Sequence, residues 1–359
     1  MQRSLEAVKR TDTGSPNSVA PLLEKFAVSV VVPVRNEQDS IGPLIESLLN
    51  QTLAPAEIVI TDGGSSDSTP AIISEYIQRG APIRLISEVA ALPGRGRNLA
   101  AAQAGSEWLA FIDAGTIPEN NWLESLAQAI RNETDVVYGT YEPVTDTRFK
   151  VCAVIAYVAP PYEFEGRQTR PCSIVSALMK RTVWKAVGGF PEHLRSAEDL
   201  LFMRKIDSAG FQIARAPNAL VHWQVEATAW GTFKRFVRYA RSNMRAGLWL
   251  QWQAPLFRRY GLLLLSLVPA FFVGVKWFLV TLLLWLLLLG ARTVVSLKRN
   301  RVAYPAGVFE NIRRSIVLVP LLALLDAATI LGTLQWLFTD ALKAEVLSEG
   351  VANGAERLR

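Results

Sequence analysis

Hydrophobic residues change their spacing along the first half of the chain in a way that predicts alternating strands and helices. Four short apolar runs predict strands, at residues 27–33, 57–61, 83–86 and 108–112, and the first two are rich in β-branched residues, as in strands buried on both faces of a sheet. Apolar residues also recur at helical spacing, at residues 41–49, 72–77 and 119–131. Because strands and helices of this length alternate, we expect βαβ units and a mostly parallel α/β sheet.

Polar and glycine-rich segments follow three of the predicted strands. They are Arg35-Asn36-Glu37, the segment 62–67 and the segment 113–116. Parallel sheets bind ligands beyond the carboxyl ends of their strands, so we expect these segments to meet at one edge of the sheet. This placement predicts a nucleotide site.

The pattern changes in the last third of the chain, where an amphipathic segment begins. Lys234, Arg238, Arg241 and Arg245 fall on one helical stripe, and apolar residues fall on another. A basic, amphipathic helix of this kind is typical of a membrane interface.

Two longer apolar segments follow the amphipathic one. Residues 261–291 are apolar apart from Lys276, a length that exceeds one membrane span and falls short of two. We therefore predict a hairpin that turns near Gly274 and either spans thinly or re-enters. Residues 315–338 predict a further span in which Asp326 must face protein, because a carboxylate in lipid is costly.

These patterns divide the chain into seven predicted segments. They are a disordered tail (1–25), an α/β domain (26–232), an amphipathic interfacial region (233–258), an apolar hairpin (259–297), a basic cytoplasmic loop (298–314), an apolar membrane helix (315–340) and a polar tail (341–359). The first of them is polar and lacks the apolar core of a signal peptide.

Composition and charge favour membrane lipid over nucleic acid as a partner. Apolar residues make up 50% of the 359 residues, and the formal net charge is +6. Positive charge flanks the apolar segments, as at Arg258, Arg259, Lys298 and Arg299, and such flanks favour the cytoplasmic side. No nucleic-acid motif is present. We expect the inner (cytoplasmic) membrane, with the α/β domain on its cytoplasmic side.

Three side chains in the middle of the chain are candidates for catalysis. Ser196 or Ala197 is predicted to open a helix, which places Glu198 and Asp199 in a first turn where negative charge is favoured. A neighbouring carboxylate can raise a pKa and so suit a general base. His222 follows a short apolar strand. The alternatives are a helix-start charge pair for the carboxylates and a packed strand-end side chain for His222.

Six ordered blocks resemble the family-two glycosyltransferases of the GT-A fold. The blocks are VSVVVPVRNE (28–37), IVITDGGSSDST (58–69), GRGRNLAAAQAGSEWLAFIDAGTIPENNWL (94–123), VGGFPE (187–192), SAEDLLF (196–202) and FKRFVRYARS (233–242). The resemblance implies transfer of a sugar, with inversion, from a nucleotide-sugar donor to the hydroxyl of a sugar or lipid-linked sugar acceptor. The implied setting is the assembly of cell-envelope polysaccharide or glycolipid.

Carried over residue by residue, the resemblance implies a donor site and a base. The donor contacts would be Pro33, Arg35, Asn36, Glu37, Asp62, Gly63, Arg97, Asn98, Asp113 and Arg238. Arg97 and Asn98 would lie beside the diphosphate. Asp199 would be the catalytic base, with Glu198 beside it. Gly94 and Gly96 would give mobility to a donor loop.

The metal motif departs from the family pattern. The usual Asp-x-Asp reads Asp113-Ala114-Gly115 in this chain, so one carboxylate is missing. The resemblance implies a divalent cation, Mg²⁺ or Mn²⁺, held by Asp113, substrate oxygens, waters and His222 or Glu119, since Mg²⁺ binds through few protein ligands together with phosphates. Asp62-Gly63 also replaces the usual paired aspartates, which leaves the nucleotide base open.

Other functions remain open at this point. A polyprenyl-phosphate sugar synthase of the same fold would use a lipid phosphate as acceptor and would need less of a base. A catalytically weakened membrane scaffold would keep the fold, and the missing aspartate is its one support. A sugar-phosphate nucleotidyltransferase and a processive polymer synthase fit less well, because their glycine-rich loop and Gln-x-x-Arg-Trp block are absent from the sequence.

Overall fold

The computed structural model describes residues 26–341, so most of both predicted tails lies outside the described residues. Its strands are β1 (Val28–Val34), β2 (Glu57–Asp62), β3 (Ile83–Ser87), β4 (Trp108–Phe111), β5 (Thr116–Pro118), β6 (Val136–Val144), β7 (Tyr162–Phe164), β8 (Arg167–Thr169), β9 (Ala177–Lys180) and β10 (Ile213–Gln224). Its α-helices are α1 (Ile41–Leu49), α2 (Thr69–Gln78), α3 (Pro93–Gln103), α4 (Trp122–Gln128), α5 (Arg148–Tyr157), α6 (Arg181–Ala186), α7 (Glu198–Ser208), α8 (Ala229–Arg245), α9 (Trp249–Trp252), α10 (Ala254–Leu265), α11 (Ala270–Val273), α12 (Trp277–Arg299) and α13 (Val308–Trp336).

One mixed sheet organises the N-terminal domain, with the strand order β3-β2-β1-β4-β9-β6-β10-β5. β1, β2, β3 and β4 pair in parallel, as the alternation of strands and helices predicts. β9 runs antiparallel between β4 and β6, and β5 runs antiparallel to β10. The parallel half therefore brings the polar segments after β1, β2 and β4 to a common edge.

Helix α3 corrects one prediction from the sequence. Gly94 and Gly96 were expected in a mobile donor loop, but both are buried in the first turns of α3. A Cβ atom on Gly96 would lie 3.1 Å from the Cβ of Pro33, and one on Gly94 would lie 2.2 Å from the carbonyl oxygen of Pro191. These glycines therefore let α3 approach β1 and the turn before α7 closely.

We expect Gly94→Ala to destabilise the domain, because the added methyl group overlaps the Pro191 carbonyl. The expected cost is about 1–3 kcal/mol of the free energy of unfolding, seen as a lower midpoint in thermal denaturation of the detergent-solubilised protein. Gly42→Ala is the matched control. Gly42 also lies in a helix, but its nearest neighbour would be 3.7 Å away, so this variant should be at least as stable as the parent.

The amphipathic helix is α8, and its apolar stripe does not face lipid. The stripe packs against α13, where a Cβ atom on Gly332 would lie only 2.3 Å from the carbonyl oxygen of Val237. Arg241 and Arg245 pair with Asp340 at 2.7 and 2.8 Å. The prediction of α8 as an interfacial helix is therefore corrected, because a protein partner covers the stripe that the sequence leaves available to a membrane.

Three helical segments are long and apolar enough to cross a membrane. They are Ala254–Val273, Trp277–Arg299 and Val308–Asp340. The first two form an antiparallel pair that reverses at Gly274, whose φ of 95° is readily adopted by glycine.

Candidate active site

Arg97 joins carboxylates from two separate parts of the fold. It lies on α3, and its guanidinium donates to Asp113 at the end of β4 (2.5 Å) and to Glu198 at the start of α7 (2.7 Å). The side chains of Arg97 and Glu198 are buried, whereas that of Asp113 is 32% exposed. Burial alone would lower the pKa of Arg97, but the charges of Asp113 and Glu198 raise it. Arg97 is therefore a permanent cation at the centre of this cluster.

Asp199 is the carboxylate of this cluster that carries no guanidinium partner. Its Oδ1 accepts a hydrogen bond from the backbone N–H of Leu200 at 2.7 Å. Burial raises the pKa of Asp199, the charge of Arg97 opposes the rise, and the charge of Asp113 adds to it. Burial also raises the pKa of Glu198, but Arg97 opposes that rise through a direct bond. Asp199 is thus the member of the cluster best placed to gain a proton.

Two residues expected beside the diphosphate have other partners. Both ends of the buried Arg97 guanidinium are occupied by carboxylates. The Asn98 side chain donates to the carbonyl of Phe190 and to Glu192, and it accepts from the indole N–H of Trp184. Asn98 therefore fixes the turn before α7. Their contacts with the diphosphate of a donor stay a prediction.

The segments after β1 and β2 hold each other through side-chain bonds. Asn36 has a φ of 55°, and its Oδ1 accepts from the N–H of Ser66 at 2.8 Å. Asp62 is buried, and its carboxylate accepts from the N–H and hydroxyl of Ser65. A Cβ atom on Gly63 would lie 2.7 Å from the carbonyl oxygen of Ala91, so glycine is required for this approach. Asp62 is therefore a loop-fixing residue, while Pro33 and Arg35 flank the loop on the β1 side.

Glu37 lies beside Gly115, which stands at the position of the missing aspartate. A Cβ atom on Gly115 would lie 3.8 Å from Oε2 of Glu37. Burial raises the pKa of Glu37, and the negative charge of Asp113 adds to this rise. The hydroxyl of Ser40 donates to the Glu37 carboxylate and opposes the rise in pKa. Gly115 itself has a φ of 79°, a region that disfavours aspartate. Glu37 and Asp113 therefore provide two neighbouring carboxylates where the motif retains one.

The ring of His222 lies next to a carboxylate. Its Nε2 lies 3.3 Å from Oε1 of Glu119, and His222 pairs with Ile117 in the β5–β10 ladder. Within residues 26–341, no group of three or more His, Cys, Asp or Glu side chains is placed to hold a metal ion. The structure thus places His222 beside Glu119, and its role as a metal ligand stays a prediction.

Three arginines near the carboxylates form a basic cluster that the sequence analysis only partly identified. Partial burial lowers the pKa of Arg195, and the positive charges of Arg238 and Arg35 lower it further, so both of these arginines lie within electrostatic range of Arg195. In the part of the chain that the structure describes, none of the three has a carboxylate partner. Arg195 was missed because it follows no periodic pattern and lies in a loop before α7.

Tyr239 connects this basic cluster to the carboxylates. Burial raises the pKa of its hydroxyl; the nearby charges include Arg235, Asp199 and Arg238. Because Tyr239 and Arg238 both lie on α8, this helix borders the site.

Comparison with known proteins identifies the N-terminal domain. A family model described as "Glycosyl transferase family 2" matches residues 29–177. The "Putative glycosyltransferase EpsH" of Bacillus subtilis is 34% identical over 119 residues, which cover 33% of this chain and 35% of that protein. The Escherichia coli protein named "UDP-Glc:alpha-D-GlcNAc-diphosphoundecaprenol beta-1,3-glucosyltransferase WfgD" is 27% identical over 164 residues, which cover 45% of this chain and 63% of that protein. The matches thus span about one third to two thirds of these relatives.

A solved structure shows the same fold. It is the "Mannosyltransferase PcManGT from Pyrobaculum calidifontis in complex with GDP-Man and Mn2+", with a TM-score of 0.52 and 18% identity over 88% of this chain and 89% of that one. The predicted fold class is confirmed, and residues 29–177 match the predicted family. This chain therefore carries a Glycosyl transferase family 2 domain of the GT-A fold, followed by three apolar helices that fit association with a membrane.

Proposed function

We propose that this chain is a glycosyltransferase that moves a sugar, with inversion, from a nucleotide-sugar to the hydroxyl of an acceptor in cell-envelope polysaccharide or glycolipid assembly. The observation that carries the proposal is the cluster in which Arg97 holds Asp113 and Glu198, while the carboxylate of Asp199 accepts from the backbone of Leu200 and has no ion-pair partner among the described residues. Inverting transfer is one displacement. It needs a base for the acceptor proton and positive charge for the departing diphosphate.

Asp199 supplies the base in this proposal. As the acceptor oxygen forms its bond to the anomeric carbon, the acceptor proton passes to the carboxylate of Asp199. The bond between the anomeric carbon and the diphosphate oxygen breaks, and its electron pair leaves with the nucleoside diphosphate. Glu198 acts as a positioning residue, because it is buried against Arg97 and fixes the start of α7.

Positive charge for the diphosphate has two sources in this proposal. Arg35, Arg195 and Arg238 provide guanidinium groups without carboxylate partners among residues 26–341. Asp113 is partly exposed and lies near Glu37. These two carboxylates would hold a divalent cation, together with donor phosphate oxygens and water. A bound Mg²⁺ or Mn²⁺ supplies charge against the developing diphosphate.

The test of the metal arrangement compares two variants at two candidate ligands. We expect chelation to suppress nucleotide release from the donor, and added Mg²⁺ or Mn²⁺ to restore it. Asp113→Asn should lower turnover by about 10²–10³-fold and raise the metal concentration needed. His222→Ala should keep the metal dependence of the parent, because His222 contacts Glu119 instead. If His222→Ala lost the dependence on metal while Asp113→Asn released nucleotide like the parent, Asp113 would be excluded as the metal ligand.

The raised pKa of Asp199 predicts a pH dependence. The base must be ionised, so kcat/KM should rise with pH through a value above the ordinary range of an aspartate. Because the pKa of Asp199 is raised in the folded state, the folded state binds this proton more tightly than the unfolded state does. The resulting contribution to the free energy of unfolding is present at low pH and declines as pH rises toward the raised pKa. A pH–rate profile checks this prediction. An acid limb that is unchanged in Asp199→Asn would exclude Asp199 as its origin.

The basic cluster favours one alternative acceptor. Arg35, Arg195 and Arg238 would also suit a lipid phosphate, as in a polyprenyl-phosphate sugar synthase. A phosphate acceptor is already ionised and needs no base, so full activity of Asp199→Asn would favour this alternative. Membrane lipid and a cytoplasmic orientation of the domain are part of the proposal, supported by the apolar helices and the basic residues beside them.

A further inference from the structure

Helix α13 is held by the N-terminal domain along its whole length. Near its start, Glu310 lies 3.4 Å from Arg148, and the backbone of Arg314 accepts from Cys152. Near its end, Asp340 pairs with Arg241 and Arg245. The segment Val308–Asp340 has 33 residues, about 50 Å at 1.5 Å per residue. The start of the segment therefore contacts α5 and its end contacts α8, about 50 Å apart along the helix.

The contacts between these ends form one continuous face of α13. Leu318 packs with Cys152 and Ile155 of α5, and Leu321 and Leu325 pack with Ala153. Gly332 then meets Val237 of α8. The helix thus passes from α5 to α8 without leaving the domain surface.

The opposite face of α13 is exposed, and it is apolar apart from Arg313 near its start. Its large exposed side chains are Phe309, Ile312, Ile316, Leu331, Leu334 and Phe338. An exposed apolar strip of this length marks a contact surface. Since the buried face is also apolar, composition alone gives α13 the hydropathy of a membrane span.

The α10–α12 hairpin differs from α13 because only its base contacts the domain. Gln253 donates to the backbone of Ala240 just before α10, and Asn300 donates to the backbone of Ile155 just after α12. The tip is exposed, with Phe271 at 89% and Phe272 at 86% relative exposure. The chain therefore leaves the domain and returns to it through an apolar hairpin.

A buried ion cluster joins the hairpin to the middle of α13. Asp326 accepts from Arg292 of α12 and, at 3.0 Å, from the hydroxyl of Tyr260 of α10. Arg259 lies 4.0 Å from the same carboxylate. Charged groups near the centre of a bilayer are costly, whereas the interface tolerates them. The cluster would therefore be less costly at the level of the membrane surface than at the bilayer centre.

From these observations we infer that α13 does not cross the membrane but lies along its surface, with one face on the domain and the other on lipid, and that only the α10–α12 hairpin enters the bilayer. A crossing α13 would carry α5, α8 and their charged residues into hydrocarbon, because the helix contacts both along its length. It would also place Asp326 near the bilayer centre. The partner of this surface is a lipid bilayer.

The part of the hairpin between the ion cluster and its tip is too short to reach the opposite side of the membrane. Fourteen residues separate Tyr260 from Gly274, about 21 Å at 1.5 Å per residue, whereas a hydrocarbon core is about 30 Å thick. The tip at Gly274 therefore stays within the bilayer, and the hairpin re-enters the side from which it came.

Cysteine accessibility in sealed proteoliposomes of phosphatidylcholine and phosphatidylglycerol tests this topology. The full chain, with Cys152→Ala and Cys172→Ala, would carry single cysteines at Phe309, Phe338 or Val275, or at Glu133 as an exposed domain control. We expect an impermeant maleimide to label the first two positions from the same side as Glu133→Cys, and Val275→Cys to react from neither side before detergent. Labelling of Phe309→Cys and Phe338→Cys from opposite sides, or of Val275→Cys from the far side, would overturn the inference.

A second experiment keeps both native cysteines. The pair Phe271→Lys and Phe272→Lys should release the chain from isolated membranes in a high-salt wash, by at least about tenfold relative to the parent, because the hairpin is the inserted element. Val302→Lys, an exposed position in the loop between α12 and α13, is the matched control and should stay bound like the parent. Full retention of the hairpin variant would mean that α13 anchors the chain as a span, and would overturn the inference.

Discussion

Replacing Asp199 with asparagine is expected to lower kcat by about 10²–10⁴-fold, the usual contribution of a general base, while donor binding stays close to that of the parent. Asparagine is isosteric and keeps the oxygen that accepts from the backbone of Leu200, so the start of α7 should remain folded. The measurement is the rate of nucleotide release at saturating donor and acceptor, together with the donor Kd.

The control for this prediction is Asp207→Asn at the other end of α7. Asp207 lies in the last turn, away from the carboxylate cluster, so this variant should keep the activity of the parent. Equal activity of Asp199→Asn and the parent would remove Asp199 as the base and would favour the phosphate acceptor. A loss of donor binding that matches the loss in kcat would instead give Asp199 a role in the binding of the donor.

Replacing Arg97 with methionine is expected to produce the largest loss of stability in the chain. The change leaves Glu198 buried without its cation and removes a partner from Asp113. Breaking a buried pair by removing one partner costs about 3–5 kcal/mol of the free energy of unfolding. The measurement is thermal or chemical denaturation of the detergent-solubilised protein.

Arg95→Met is the matched control, because Arg95 lies two residues away on the same helix. Its side chain is 41% exposed, and its ion pairs with Glu88 and Glu192 lie at the surface, where pairs contribute about 0–1 kcal/mol. A second variant, Arg97→Met with Glu198→Gln, should recover part of the lost stability, since the unpaired buried charge is gone. Equal midpoints for Arg97→Met and Arg95→Met would contradict the central role of Arg97.

The sequence predicts most of the parallel half of the fold, because its strands are apolar runs and most of its helices have apolar residues at helical spacing. β1 and β2 are continuous apolar runs, and Asp113 and Asp199 stand at a predicted strand end and helix start. The antiparallel β9 was not predicted, since four residues between irregular segments carry too little pattern. Helix α3 was missed because its first turns contain two glycines and a proline, which ordinarily argue against a helix.

The contacts of the site depend on tertiary structure that spacing does not encode. Arg97 reaches one carboxylate 16 residues away and another 101 residues away, so its partners could not be inferred from a motif. The position of Glu37 opposite Gly115 depends on how the loops after β1 and β4 meet. Likewise, α13 has apolar residues on both faces, and hydropathy does not distinguish a face toward protein from one toward lipid.

The domain is proposed to transfer a sugar from one class of nucleotide-sugar at the site formed by Asp113 and Asp199. The most direct measurement supplies the purified full chain with UDP-, GDP-, dTDP- and CMP-sugars in parallel, with Mg²⁺ or Mn²⁺, and records donor binding and nucleotide release for the parent and for Asp113→Asn. We predict that one donor class is bound and turned over by the parent, and that turnover falls sharply in Asp113→Asn. Failure of the parent to bind any of the donors, or release that is identical in the parent and in Asp113→Asn, would contradict the account.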